Sequence, residues 1–337
     1  VAGGPLARRL GLQTLLWLAA AGNGLSQLVL AASAWVMPAL AFPAILLGTA
    51  LLGLSFGLGG APLNSYPSRF FPRHASTAVV ASHTLSGLGL MAGPLLADGF
   101  GRAGWWTGFP LSLLSLSALL ALAAVVVRLP PDTEGGSERH AAASTPLGSS
   151  TFWVFAAIAM LYAFAESTFG NWAVIYLRES KALPAGMAAL ALSVFWGAMV
   201  ASRLLVAVLV VRIAPTTIWL ALPVLMIAAF LLLPGANTPA LGLGLFALAG
   251  LSCSAFFPLT ITLAAARFPK HVAWVSSMMI AALMVGVGLG SFLIGSLREW
   301  LTLEQIYRFS TAYPIAMIGL AWWLTDSRRQ LAAEAGV

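Results

Sequence analysis

The sequence predicts an all-α integral membrane protein of ten lipid-crossing helices, and three observations carry that prediction. Sixty per cent of the 337 residues are hydrophobic and 8% are charged, with a mean hydropathy of +0.93. A soluble domain of this length would have to present much of that apolar surface to water. The residues from Leu10 to Ser68 and from Ile213 to Ala266 contain no Asp, Glu, Lys or Arg. A helix needs roughly 20 apolar residues to cross ~30 Å of hydrocarbon, so each run holds two spans. The period-two alternation of a β-barrel is missing, which leaves helices to satisfy the backbone in lipid.

In chain order the expected spans are A, Leu12 to Ala34; B, Phe42 to Asn64; C, Thr77 to Ala97; D, Trp105 to Val127; E, Phe152 to Tyr176; F, Ala185 to Val210; G, Thr217 to Leu233; H, Leu241 to Leu263; I, Val272 to Ile294; and J, Ile306 to Leu324. Pro38 and Pro43 divide A from B, and Pro234-Gly235-Ala236-Asn237 divides G from H, as turn chemistry requires. The stretch from Arg128 to Ser150, with Pro130-Pro131 and Gly135-Gly136, has the composition of a flexible linker. It separates a bundle of residues 1–127 from a bundle of residues 151–337.

Placing Arg8 and Arg9 in the cytoplasm puts 11 flanking cations on that side and 5 on the other. That bias makes both observed termini cytoplasmic, in a multi-pass protein of the bacterial inner membrane. The net charge of +7 is thereby spent on topology; the cations build no single basic face, and no nucleic-acid partner is expected. Cys253 is the sole cysteine, so no disulfide forms within the chain, and no metal site or cofactor is expected.

One hairpin design is used twice. At an offset of 197 residues, Gly53-Leu54-Ser55 aligns with Gly250-Leu251-Ser252, Phe71-Pro72-Arg73-His74 with Phe268-Pro269-Lys270-His271, and Gly89 and Gly93 with Gly286 and Gly290. Spans B and C therefore match H and I, six spans later and in the same orientation, which describes parallel six-helix repeats. Four spans precede the linker and six follow it. The expectation is a chain that lacks two leading spans of twelve.

Four segments carry a family resemblance. The turn Gly4-Pro5-Leu6-Ala7-Arg8-Arg9-Leu10-Gly11 is similar to the loop between the second and third helices of the major facilitator superfamily, with Arg8 where that family usually has Asp. Gly89-Leu90-Met91-Ala92-Gly93-Pro94 resembles the fifth-helix motif of its drug/proton antiporters, with Ala97 and Asp98 replacing the glycines that follow there. Span E, Tyr162 to Trp172, and span H, Gly250 to Pro258, resemble the seventh and tenth helices of the branch holding fucose/proton symporters and sodium-dependent glucose transporters. The resemblance implies a twelve-helix fold of two pseudo-symmetric bundles with its first two helices absent here. It further implies that B, E and H line the cavity.

Glu166 is the one carboxylate well inside a span, ~21 Å along E at 1.5 Å per residue, and is the candidate coupling group. Tyr162 and Gly170 share its helix face. Arg203 in F either binds an anionic group, gates the inner mouth, or ties F to the cytoplasmic ends of its neighbours. His83 in C is a candidate proton relay or a packed polar residue. Asn64 either binds hydroxyls or caps the inner end of B. Ser252, Phe256 and Thr260 form a mixed stripe on H, suited to a sugar or to plain packing. Gly87, Gly89, Gly93, Gly286, Gly288 and Gly290 are expected close-packing or hinge positions, and Pro94 and Pro258 are expected to bend C and H.

Parts that an embedded enzyme would need are missing: there is no His-x-x-x-His pair and no second carboxylate inside a span. A sensor or scaffold would need a signalling domain, for which the short linker and tails leave no room. The expected function is secondary active transport of a small polar solute, such as a sugar, by a monomer coupled to a proton or sodium ion. Drug/proton antiport is the alternative.

Overall fold

The computed structural model describes residues 9–127, 129–130 and 146–334. Gly4, Arg8 and most of the expected linker lie outside them. The described residues form helices α1 (Leu12–Ala32), α2 (Pro38–Phe70), α3 (Ala75–Arg102), α4 (Gly108–Val126), α5 (Ser150–Asn171), α6 (Ala173–Glu179), α7 (Ala185–Leu209), α8 (Pro215–Leu232), α9 (Pro239–Cys253), α10 (Phe256–Arg267), α11 (Val272–Leu297), α12 (Leu303–Phe309) and α13 (Ala312–Glu334). Among these residues there is no strand.

Among the described residues, eight helical segments are long and apolar enough to cross a membrane, one for each expected span except C and J. Helix α3, which matches C, is rich in Gly, Ser and Thr and carries His83 and Asp98. Span J is interrupted at Ser310 and Thr311, which leaves the seven-residue α12 before α13. Span B is longer than expected: α2 has 33 residues and runs through Pro43, Pro62 and Pro67 to Phe70. Asn64 is therefore inside the helix and does not cap it; its amide donates to Gly60 O, one turn back, at 2.7 Å. Helix α3 likewise passes Pro94 without interruption.

The two Phe-Pro-basic-His turns have one backbone form. Phe71 and Phe268 cap their helices at φ/ψ of −124°/65° and −125°/63°. His74 and His271 follow at −132°/37° and −133°/25°, each after a single 3-10 turn. In each turn the His amide donates to the Phe carbonyl, at 3.0 and 2.9 Å. The proline supplies the fixed φ that starts the 3-10 turn and has no amide to continue the preceding helix. Gly11, at the N-cap of α1, has φ +80°, a conformation that costs glycine nothing and most other residues about 1 kcal/mol or more.

Contacts divide the chain into two compact units. One holds the residues up to Ser86 and those from Leu96 to Val127, and the other holds Gly87–Leu95 and the residues from Pro146 onward. In the first, α1 packs on α2 and α4 through small residues. Ser26 Oγ donates to Gly48 O at 2.7 Å, and a Cβ on Gly22 would lie 2.4 Å from Ser55 Oγ. Such close approach takes the place of hydrophobic drive between helices in lipid.

The second unit is held by an aromatic interior. Phe169 stacks on Phe230 with ring centroids 4.0 Å apart, and Tyr176 on Tyr307 at 4.1 Å. Helix α5 packs against α11 and α13, and α7 against α9. Gly286 and Gly290 of α11 seat on α5: an added Cβ would come within 2.6 Å of Ala163 Cβ and 2.8 Å of Ser167 Oγ. Their repeat mates behave otherwise, since a Cβ on Gly89 or Gly93 meets nothing within 4 Å. Gly288 is equally open, whereas a Cβ on Gly87 would come within 2.4 Å of Val200. Close packing thus describes Gly87, Gly286 and Gly290 but not the other three.

Candidate functional site

The polar constellation of the second unit forms where its long helices break. Span H is two helices, α9 and α10, separated at Ser254 and Ala255 (φ/ψ −107°/−2°). Pro258 explains the position. It lacks the amide that would bond the carbonyl four residues earlier, and its ring crowds that carbonyl, which belongs to Ser254. The exposed carbonyls find partners on neighbouring helices. Arg203 Nε of α7 donates to Ser254 O at 2.9 Å, and the Tyr162 hydroxyl of α5 donates to Cys253 O at 2.9 Å. Span E breaks too, at Trp172 between α5 and α6, and the Tyr307 hydroxyl donates to Thr168 O at 2.9 Å. Broken helices of this kind persist in membranes only where other groups take up the freed backbone.

Glu166 is half-buried on α5, one turn beyond Tyr162. The polar neighbours of its carboxyl are the Tyr162 hydroxyl and the Arg203 guanidinium. The structure thus gathers Glu166, Tyr162 and Arg203 around the break in H: the sequence placed the first two on one helix face, and the structure adds Arg203. Arg203 does not tie F to the cytoplasmic ends of its neighbours; its Nε holds a mid-span carbonyl and its Nη2 lies 3.3 Å from Met199 Sδ.

The stripe on H faces inward. Ser252, Phe256 and Thr260 are fully buried. Ser252 Oγ donates to Ala249 O at 2.7 Å, and Phe256 lies stacked between Tyr162 and Trp219. Thr260 Oγ1 donates to Phe256 O and accepts from Trp219 Nε1, both at 2.8 Å. These residues form core, and the packing reading describes them. Thr260→Val is accordingly expected to orphan the Trp219 N–H and cost about 1–3 kcal/mol, seen as a lower melting temperature, with no change in apparent solute affinity. A weakened affinity at unchanged stability would return the stripe to the site.

In the first unit the structure joins two candidates that the sequence kept apart. His83 Nε2 lies 3.0 Å from Asn64 Oδ1, linking α2 to α3, and both side chains are exposed. Arg9 and Gly11 of the loop motif lead into α1, and only Gly11 has a describable structural reason, its positive φ.

The profile of the Major Facilitator Superfamily matches residues 1–271. The chain belongs to the major facilitator superfamily. Solved structures agree with this at the level of fold. The Escherichia coli fucose:proton symporter is 14% identical with a TM-score of 0.65, covering 96% of this chain and 86% of the other. The nucleoside transporter NupG is 15% identical with a TM-score of 0.69, covering 95% and 85%. A bacterial homologue of the human lysosomal transporter Spinster, in an inward-facing unoccupied conformation, is 15% identical at 0.56, covering 92% and 80%. No curated protein matches. This facilitator is thus a multi-pass membrane transporter, and its breaks in E and H are on the helices that the resemblance places at the cavity.

Proposed function

We propose that this facilitator is a secondary active transporter that carries a small polar solute, of the sugar or nucleoside kind, by alternating access between two six-helix bundles, residues 1–127 and 151–337. Glu166 is its coupling acid, loaded by a proton or cation with the solute and unloaded on the other face. The observation that carries this reading is the placement of a half-buried carboxyl beside Tyr162 and Arg203, at the break of a cavity helix. An ionisable group at such depth is costly and is retained for function by default. Fucose and nucleosides, the solutes of two fold neighbours, are rich in hydroxyls, which supports the solute class.

Twelve helices complete the architecture, and the open face of α3 supports that count. Gly286 and Gly290 of α11 are covered by α5, whereas a Cβ on Gly89 or Gly93, on the repeat's other copy, would meet none of the described residues within 4 Å. The helix equivalent to α5 is the first of the two expected ahead of span A. The orientation, with both observed termini in the cytoplasm of a bacterial inner membrane, rests on the cation bias, and the protein acts as a monomer.

The test is counterflow and pH-gradient-driven uptake in proteoliposomes holding the full-length protein, with radiolabelled monosaccharides and nucleosides. Uptake of one class that follows an imposed proton or sodium gradient is expected. Drug/proton antiport is favoured by a separate feature, an apolar cavity of about 260 Å³ between α7, α8 and α9 that Ser202, Thr217 and Ser254 help to line. Resistance to lipophilic cations on overexpression, without polar-solute uptake, would select it.

A further inference from the structure

We propose that Arg203 is a positioning residue that replaces the amide missing at Pro258, and that its bond to the Ser254 carbonyl holds the bend between α9 and α10 closed. The argument needs neither the solute nor the coupling role of Glu166. Pro258 is four residues after Ser254, the spacing at which a helix would supply an N–H to that carbonyl. In place of that N–H the guanidinium of another helix arrives at 2.9 Å, on the carbonyl of a fully buried residue. The neighbouring carbonyl, of Cys253, is held in the same way by Tyr162. The break is therefore pinned from α5 on one residue and from α7 on the next. Tyr162 is itself fixed between the rings of Phe256 and Phe257, at centroid distances of 5.5 and 5.9 Å, so the α5 pin is rigid. Arg203 has no comparable enclosure: its side chain is exposed, and beside the Ser254 carbonyl it has only the Met199 sulfur and the neighbouring Glu166 carboxyl, with no ring stacked on it. Of the two pins it is the one free to let go.

The chain carries its own reporter for this device. Cys253, its sole cysteine, is at the break and fully buried. Its rate of alkylation by N-ethylmaleimide in the full-length detergent-purified protein, followed by intact mass, measures how often the bend opens. Arg203→Leu is expected to raise that rate by roughly tenfold or more, because a charge-assisted bond to a buried carbonyl is lost. Pro258→Ala restores the amide, and the double variant Arg203→Leu/Pro258→Ala is expected to return labelling to the wild-type rate. Arg203→Lys, still a donor, should stay protected. If Arg203→Leu fails to fold, recovery of folded protein in the double variant is the same rescue. Wild-type labelling in Arg203→Leu, or labelling in the double variant as fast as in Arg203→Leu, would overturn the proposal. Both readouts are independent of transport, so a failure of the transport reading would leave them standing.

Discussion

Glu166→Gln is expected to reduce gradient-driven accumulation of the solute to simple equilibration across the membrane, while solute exchange persists. The substitution keeps the volume of the side chain and its capacity to hydrogen-bond the Tyr162 hydroxyl, so the helix contacts around it survive. It removes the one property that a coupling acid must have, a charge that changes when the ion binds. A transporter whose loaded and empty forms carry the same charge still alternates, but the gradient no longer biases which face it empties to. Exchange measured under zero gradient therefore stays within about threefold of wild type, whereas the accumulation ratio falls to about one. Glu166→Ala should be worse in both assays, because it also strips a partner from Arg203 and Tyr162 beside the helix break. Wild-type accumulation by Glu166→Gln would remove Glu166 from coupling and leave it a packing residue.

How much of this was readable from the residues depends on the kind of information each feature needs. Composition alone places helices A, B and D to I, since length and apolarity are sufficient to commit a segment to lipid. The duplicated turn was legible because Phe-Pro-basic-His encodes its backbone locally, and the two copies agree to within about a dozen degrees in every dihedral quoted. Asn64 was misplaced as an end residue for the opposite reason: polarity suggests a boundary, yet a proline-bearing helix continues for six more residues before Phe71 stops it. The glycine pairs look alike in sequence and differ in what covers them, which is a tertiary property. The break in H had a local signal that a count would have found, because Pro258 names Ser254 as the carbonyl to be orphaned. No local signal names Arg203 as its partner, 51 residues earlier on another helix.

The second large effect concerns the position that opens the repeat. Gly250→Ala is expected to prevent stable folding of the second unit, at a cost of about 3 kcal/mol or more, although alanine is the milder residue for a helix interior. The added Cβ would lie 2.1 Å from the carbonyl oxygen of Phe195 and 3.0 Å from its carbonyl carbon. A flexible side chain could swing away from such a contact; a backbone carbonyl in the middle of α7 cannot, so α7 and α9 must move apart by about 1 Å. That separation would loosen the packing of Phe195 against Phe169 and, through it, the stack on Phe230. The repeat supplies an internal control. Gly53→Ala adds the same atom at the aligned position of α2, where none of the described residues lies within 4 Å, and in a protein of these 337 residues it should raise stability by about 0.5–1 kcal/mol through helix propensity alone. Melting curves and size-exclusion profiles of the two variants in one detergent decide the matter. Equal behaviour of the pair would show that α7 and α9 are not in backbone contact at Gly250, and with that contact would go the placement of Arg203 over the break.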